Sequence, residues 1–264
     1  MNELRNAARD RLAKGEVALG VGVRMSRTVE IAKIMQRAGY DWLFIDLEHG
    51  VMSLDCASQI SIAALDCGIA PIVRVPNGEY SMATRLLDNG ALGIVAPHVE
   101  SADEAREIVQ RLKFPPLGRR SIASNVPQFA FQPPSVDVLI ATLNAVSLTV
   151  VMIETQAGVD NAAAIAAVPG VDVLLIGSND LCLDLGIAGQ SDHPRIQAAY
   201  AAVLAACRAN GKWAGMGGIR SPALIRRHID AGIQFVLAGT DVVMLANAAQ
   251  LQAEDIVGKR QLDQ

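Results

Sequence analysis

The stretch DWLFIDLEHG, Asp41–Gly50, passes within a few residues from an apolar run to a cluster of ionisable groups. Trp42, Leu43, Phe44 and Ile45 are apolar on both faces of an extended chain, as suits a parallel strand covered by helices. The run ends in Asp46, Glu48 and His49, and Gly50 closes the turn. Two carboxylates and an imidazole at the carboxyl end of a buried strand are costly without partners. In α/β proteins that end is where ligands bind. A helix cap followed by a solvated turn is the plainer reading of the same residues.

Outward from this stretch, strand-like runs alternate with helical patterns. The strands read as Ala18–Val23, Asp41–Asp46, Ala70–Val75, Leu92–Pro97, Leu148–Ile153, Val171–Ile176, Trp213–Met216 and Gln234–Ala238. Between them lie helical patterns at Arg27–Ala38, Leu54–Cys67, Glu79–Asn89, Ala102–Leu112, Gly158–Ala167 and about Pro194–Asn210. A further one starts at Ser221 and stops at Gly232, and the last runs from Asp241 to about Val257. Ser53 and Gly68 bracket the second helix, and Ser101 with Glu104 forms a capping-box pattern. This alternation predicts a (β/α)8 TIM barrel, one domain over residues 1–264, with a doubly wound open sheet as the other candidate. Only Lys113–Pro134 breaks the rhythm. It carries five prolines and reads as a long ordered loop at the barrel mouth or a subunit contact, followed by a short helix Ser135–Leu143.

Composition agrees. Hydrophobic residues make up 51% of the 264 and aromatics 4%, so the core is built chiefly from Ala, Val, Leu and Ile. A net charge of −4 without a basic run argues against nucleic acid as a partner. No stretch is apolar enough to span a membrane; Val136–Ile153 comes nearest but holds Asp137 and Asn144. The first residues, MNELRNAARDRLAKGE, read as a charged amphipathic helix without a signal-peptide core. Cys56, Cys67, Cys182 and Cys207 form no CxxC pair and read as reduced thiols. The expected location is cytoplasmic.

In a barrel all strand ends meet at one mouth. That brings together Asp46, Glu48 and His49 from strand 2, Arg74 from strand 3, His98 from strand 4, Glu154 from strand 5 and Asp180 from strand 6. Glu154 and Asp180 on adjacent strand ends suit a divalent cation such as Mg²⁺ or Mn²⁺; a hydrogen-bonded Glu and a helix-capping Asp are the alternative. Arg74, between Val73 and Val75, needs an anionic partner, either a structural carboxylate such as Asp46 or Glu48, or a substrate. Asp46, three residues before His49, can orient the imidazole as a general base. His193 and His228 fall in helical surroundings and read as surface residues. Gly217-Gly218 and Gly239-Thr240 lie where barrels often bind phosphate, though glycines also simply make tight turns. No lysine (Lys14, Lys33, Lys113, Lys212, Lys259) falls at a strand's carboxyl end, which argues against an imine mechanism.

DWLFIDLEHG, VRVP, SADEAREIV, FPPLGRRS, VMIET and IGSNDL, in this order from about Gly20 to Ala246, resemble the HpcH/HpaI aldolase family, metal-dependent pyruvate aldolases on a (β/α)8 barrel. The resemblance implies a lyase that cleaves 4-hydroxy-2-oxo acids, such as 4-hydroxy-2-oxoheptanedioate or 2-dehydro-3-deoxyglucarate, to pyruvate and an aldehyde through an enolate. It implies that Glu154 and Asp180 hold Mg²⁺, Mn²⁺ or Co²⁺, which the 2-oxo acid chelates. Arg74 would steady the enolate, and His49, oriented by Asp46, would manage the hydroxyl proton. Ser178, Asn179, Asp180 and His98 would contact substrate. It also implies a homo-oligomer, a hexamer built as a trimer of dimers, with the last helix packed across a dimer. Met152, where family aldolases often carry Gln, and His98 depart from the aldolase pattern. PHVES, FPPLGRRS and VMIET are closer to the macrophomate synthase branch, which decarboxylates oxaloacetate to the same enolate. An oxaloacetate decarboxylase or other enolate-condensing enzyme is therefore the alternative activity. On either, Arg74→Ala is expected to remove turnover and leave the fold intact. A catalytically silent barrel would not keep a functional residue at each mouth position.

Overall fold

Eight parallel strands close into a barrel in sequence order, β8 pairing back onto β1. They are β1 Ala18–Val23, β2 Trp42–Asp46, β3 Ala70–Arg74, β4 Gly93–Ala96, β5 Leu148–Ile153, β6 Val173–Gly177, β7 Trp213–Gly217 and β8 Phe235–Thr240. The structure is a computed structural model and describes residues 4–258. Lys259, one of the lysines considered above, lies outside the described residues, as do Met1–Glu3 of the amino-terminal helical pattern.

Alternation along each strand sorts side chains into two cores. Leu43 and Ile45 face outward and join the layer between barrel and helices; Trp42 and Phe44 face inward. The interior cluster adds Ile72, Val95, Val150, Met152, Val173, Leu175 and Phe235. At its centre Trp42 stacks on Phe235 with ring centroids 4.0 Å apart. The same parity, carried one step further, puts Asp46, Arg74 and Glu154 above Phe44, Ile72 and Met152, at the carboxyl ends of β2, β3 and β5. A (β/α)8 barrel thus acquires a polar top layer on an apolar plug.

The helices follow the caps. In the helix Leu54–Cys67 the Ser53 side chain accepts from the Cys56 amide and Gly68 is left-handed. In the helix Ala102–Leu112 Ser101 and Glu104 complete the capping box. The pattern read as one helix from Gly158 breaks at Asn161 into two short helices, Gln156–Asp160 and Ala162–Ala166. Val136–Ile153 divides between the helix Val136–Val146 and β5. No helix among the described residues is long and apolar enough to cross a membrane.

The segment 113–134 belongs to the opposite end of the barrel from the mouth. It connects the carboxyl end of the helix Ala102–Leu112 to the helix that leads into β5. Gln128 donates to the carbonyls of Leu87 and Ala91, and buried Arg120 pairs with Asp88 at 2.6 Å. Phe114 packs with Leu139 and Leu143. The prolines and aromatics thus signalled an ordered loop, but one that closes the floor. Lys113 also lies there, buried and donating to the carbonyls of Asn144 and Ser147.

Candidate functional site

Asp46 is the hub of the mouth. It is 1% exposed. Arg74 Nε donates to Oδ1 at 3.0 Å and Nη2 to Oδ2 at 2.7 Å, a two-pronged pair between adjacent strands. Oδ1 also accepts the backbone N–H groups of Glu48 and His49. Burial alone would raise the Asp46 carboxyl; its hydrogen bonds and proximity to Arg74 outweigh that and hold it below its ordinary value. Gly50 lets the turn close, since a Cβ there would lie 2.5 Å from the Asp46 carbonyl oxygen. Contrary to the expectation from sequence, Asp46 does not orient the His49 ring. Asp46 grips the His49 backbone, and its oxygens are taken by arginine. The ring is half exposed, with Nε2 3.9 Å from Glu48 Oε2.

Arg74 is buried, as its setting required, and both structural partners weighed for it are present. Its Nη1 lies 2.9 Å from Glu48 Oε2 and 3.9 Å from the Met152 sulfur, and its guanidinium sits 5.0 Å from the Phe44 ring centre. Glu48 continues the network, with Oε1 3.4 Å from His98 Nε2. His98 Nδ1 in turn lies 3.2 Å from Glu154 Oε2, which also accepts the His98 backbone N–H at 2.8 Å. His98 makes both contacts from a left-handed backbone, φ 54°, a conformation that costs a side-chain-bearing residue about 1–2 kcal/mol. Such strain gathers at functional sites.

Glu154 is 2% exposed and its Oε1 has no hydrogen-bond partner. Burial raises its carboxyl above the ordinary value, against the His98 amide, and the nearby Asp180 charge adds to the rise. Gly177, at the end of β6, makes the room: a Cβ there would lie 2.7 Å from Glu154 Cγ and Oε1. The residues after it, read as a turn, begin the helix Ser178–Asp184, whose first turn no side chain caps. Ser178 is buried and its hydroxyl pairs with Tyr200 at 2.7 Å. It therefore offers the mouth its backbone and not its side chain. Among the described residues no three His, Cys, Asp or Glu side chains gather as a metal cluster. Glu154 and Asp180 remain a two-carboxylate oxygen set with one orphaned buried oxygen, and such a set fits a divalent ion.

Asp46, His49, Arg74, Met152, Asn179 and Asp180 are among the residues that line a cavity of about 160 Å³, and Glu154 lies behind its Gly177 wall. Gly217, Gly218 and Thr240 line it too. Two further residues were missed by sequence reasoning. Arg24, after β1, reaches the cavity with Nε 3.3 Å from Asp46 Oδ2. Asp241, 4% exposed, accepts the backbone N–H groups of Arg24, Met25, Ser26 and Val242, so it pins the loop that carries Arg24. Two histidines lie elsewhere. His193 caps the helix Pro194–Ala209. His228, expected at the surface, is 5% exposed and stacks on Tyr200 with ring centres 3.9 Å apart; burial lowers its basicity.

A model of the HpcH/HpaI aldolase/citrate lyase family matches residues 25–248. The chain belongs to that family. It is 39% identical to the 4-hydroxy-4-methyl-2-oxoglutarate aldolase of Chaetomium globosum over 94% of this chain and 92% of the relative. Among solved structures it resembles the HpcH/HpaI aldolase of Desulfitobacterium hafniense, with TM-score 0.90, 28% identity, and coverage of 97% of this chain and 98% of that one. It also resembles macrophomate synthase, with TM-score 0.79, 29% identity, and coverage of 96% and 89%. As a member of the HpcH/HpaI family the protein is a carbon–carbon lyase of the aldolase type. The mouth network from Asp46 to Glu154 is its candidate active site.

Proposed function

We propose that this HpcH/HpaI protein is a pyruvate aldolase that cleaves 4-hydroxy-2-oxo acids to pyruvate and a carbonyl product. The observation that carries the reading is the buried, orphaned Glu154 oxygen, in a carboxylate that feels the charges of both Asp180 and the ion-paired Arg74. Anions are received there by a buried cation, and a hard cation has oxygen donors waiting. Glu154 and Asp180 would hold Mg²⁺, Mn²⁺ or Co²⁺, which supplies Lewis acidity toward the 2-oxo acid.

The chain's own residues do the rest. The uncapped amides of Ser178–Asp180 favour a carboxylate at the helix start. Arg74, fixed by Asp46 and Glu48, presents positive charge where the C2 oxygen gains negative charge. Fixed charge in a water-poor site stabilises such an oxyanion. The half-exposed His49 takes the C4-hydroxyl proton, directly or through water. As the C4 carbonyl forms, the C3–C4 bond breaks and its electron pair passes to the pyruvate enolate. A proton then returns to C3. His98 holds Glu154 in place from the β4 side.

We propose in addition that the protein is a homo-oligomer. The last helix, Asp241–Val257, leaves Leu245, Leu251, Ile256 and Val257 exposed, and Asp241 is its one buried residue. Such a face suits a second copy of the chain better than water.

The test is product analysis. Purified protein with Mn²⁺ and a 4-hydroxy-2-oxo acid is expected to release pyruvate and a trappable carbonyl product in equal amounts. Pyruvate and CO2 from oxaloacetate, with nothing from the hydroxy acid, would assign the site to decarboxylation instead.

A further inference from the structure

The cavity holds a second guanidinium that the chemistry above leaves unused. Arg24 continues the inward parity of β1 through Ala18, Gly20 and Gly22, and it lines the cavity. Its backbone is clamped with those of Met25 and Ser26 by the buried Asp241 carboxylate, so its Cα is as fixed as a strand residue. The side chain is only partly satisfied. Nε stands 3.3 Å from Asp46 Oδ2, an oxygen that Arg74 already holds at 2.7 Å, and Nη2 donates to the His49 carbonyl at 3.2 Å. Among the described residues no side chain or backbone oxygen takes Nη1, and the side chain is 40% exposed toward the mouth. Arg74, by contrast, is 8% exposed and paired with two carboxylates.

Position in the barrel says what Arg24 faces. In a closed eight-stranded barrel β1 stands opposite β5, so Arg24, just after β1, and Glu154, just after β5, lie on opposite sides of the mouth. A 2-oxo acid whose head lies by Arg74, Glu154 and the Ser178–Asp180 turn must extend its tail toward β1. We propose that Arg24 binds a second carboxylate on that tail, which makes dicarboxylic 4-hydroxy-2-oxo acids the preferred substrates over monocarboxylic ones. A guanidinium with a free edge matches a carboxylate in two-pronged geometry. Arg74 cannot serve the tail, because it is spent at the head. Of the remaining cavity-lining side chains only His49 is basic, and its role is at the C4 hydroxyl. The inference rests on the aldolase reading and adds the residue that selects for a second carboxylate.

The test compares 4-hydroxy-2-oxoglutarate with 4-hydroxy-2-oxopentanoate, which carry a carboxylate and a methyl group on C4. Wild type, Arg24→Gln and Arg24→Lys are assayed with Mn²⁺, and pyruvate is quantified by chromatography. Arg24→Gln is expected to lower kcat/KM for the diacid about 10- to 100-fold, chiefly through KM, as befits loss of a charged hydrogen bond. Its effect on the monoacid is expected to be small, and Arg24→Lys should recover part of the diacid rate. Equal losses on both substrates would show that Arg24 serves only to hold Asp46, and would overturn the inference. So would an unchanged diacid rate. A wild type that releases pyruvate from neither substrate would overturn the aldolase reading, and this inference with it.

Discussion

Gly177→Ala is a one-carbon perturbation aimed at a single contact. Gly177 has φ −88° and ψ 87°, a conformation open to alanine, so backbone strain adds nothing. The added Cβ would lie 2.7 Å from Glu154 Cγ and Oε1, where carbon contacts settle at about 3.5–4.0 Å. Glu154 must therefore retreat by about 1 Å. It is buried, and the His98 N–H holds its other oxygen, so the retreat moves the proposed metal ligand and the histidine together. A misplacement of that size in a reacting site costs about 10²-fold in rate, or about 2.7 kcal/mol of barrier. Overpacking of this kind costs about 1–3 kcal/mol of stability, so the protein is expected to remain folded. The assay is metal-dependent pyruvate release, with apparent Mn²⁺ affinity measured alongside. Gly217→Ala is the control. It lines the same cavity, but its Cβ would meet Leu237 at 3.4 Å, an ordinary contact, and turnover is expected to stay near wild type. Wild-type turnover and Mn²⁺ affinity in Gly177→Ala would refute the assignment of Glu154.

Further outcomes follow from the same contacts. Glu154 has its carboxyl raised by burial, so above its unfolded value of about 4.3 ionisation works against the fold. Glu154→Gln should raise the EDTA-treated Tm at pH 7 by a few degrees, consistent with about 0.5–2 kcal/mol. Added Mg²⁺ should stabilise wild type but not the variant; thermal melts with and without Mg²⁺ check both. Asp241 has its carboxyl held low: burial opposes this, but backbone N–H donors outweigh it. Its contribution to stability is complete above about pH 3.9 and is lost as pH falls through the lower folded value. Asp241→Asn should lower Tm at pH 7 and flatten its decline below pH ~4, as melts across that range would show. Arg74→Lys should cut turnover about 10²–10³-fold in a folded enzyme, read by circular dichroism and pyruvate release. The structure revises the expectation for Arg74→Ala. That change leaves buried Asp46 and Glu48 without their cation and should cost about 3–5 kcal/mol of stability, so it tests the fold as much as the chemistry.

The barrel was legible because its strands are short apolar runs whose next inward position is ionisable. LTVVMI ending in Glu154 and WLFI ending in Asp46 each announce a core and a mouth. Helix ends were legible where a side chain or glycine decides them, as at Ser53, Gly68 and Ser101. Other features depend on partners remote in sequence. Ser178-Asn179-Asp180 has turn composition, and only packing beyond β6 continues it as a helix. Asn161 stands just before the run Ala162–Ala164, and its side chain donates to the Glu100 carbonyl. The proline-rich segment carried signs of order but none of which end of the barrel it covers; that follows from its place between a helix and the next strand. Arg24 sits in RMSRT, with no neighbour in sequence to mark it, and its partners come from β2 and from Asp241, 217 residues away. His228 looks exposed on a charged helix because its cover, Tyr200, belongs to another one.

The most direct test of the central claim, that this mouth generates a pyruvate enolate on the strength of Glu154, Asp180 and Arg74, is proton exchange at the pyruvate methyl group. Pyruvate in D2O with Mg²⁺ is followed by proton NMR in the presence of wild-type protein. The account predicts loss of the methyl signal at a rate proportional to enzyme, abolished by EDTA and by Glu154→Gln. A wild-type protein that leaves the methyl group protonated, or exchange that persists in Glu154→Gln with EDTA, would contradict it.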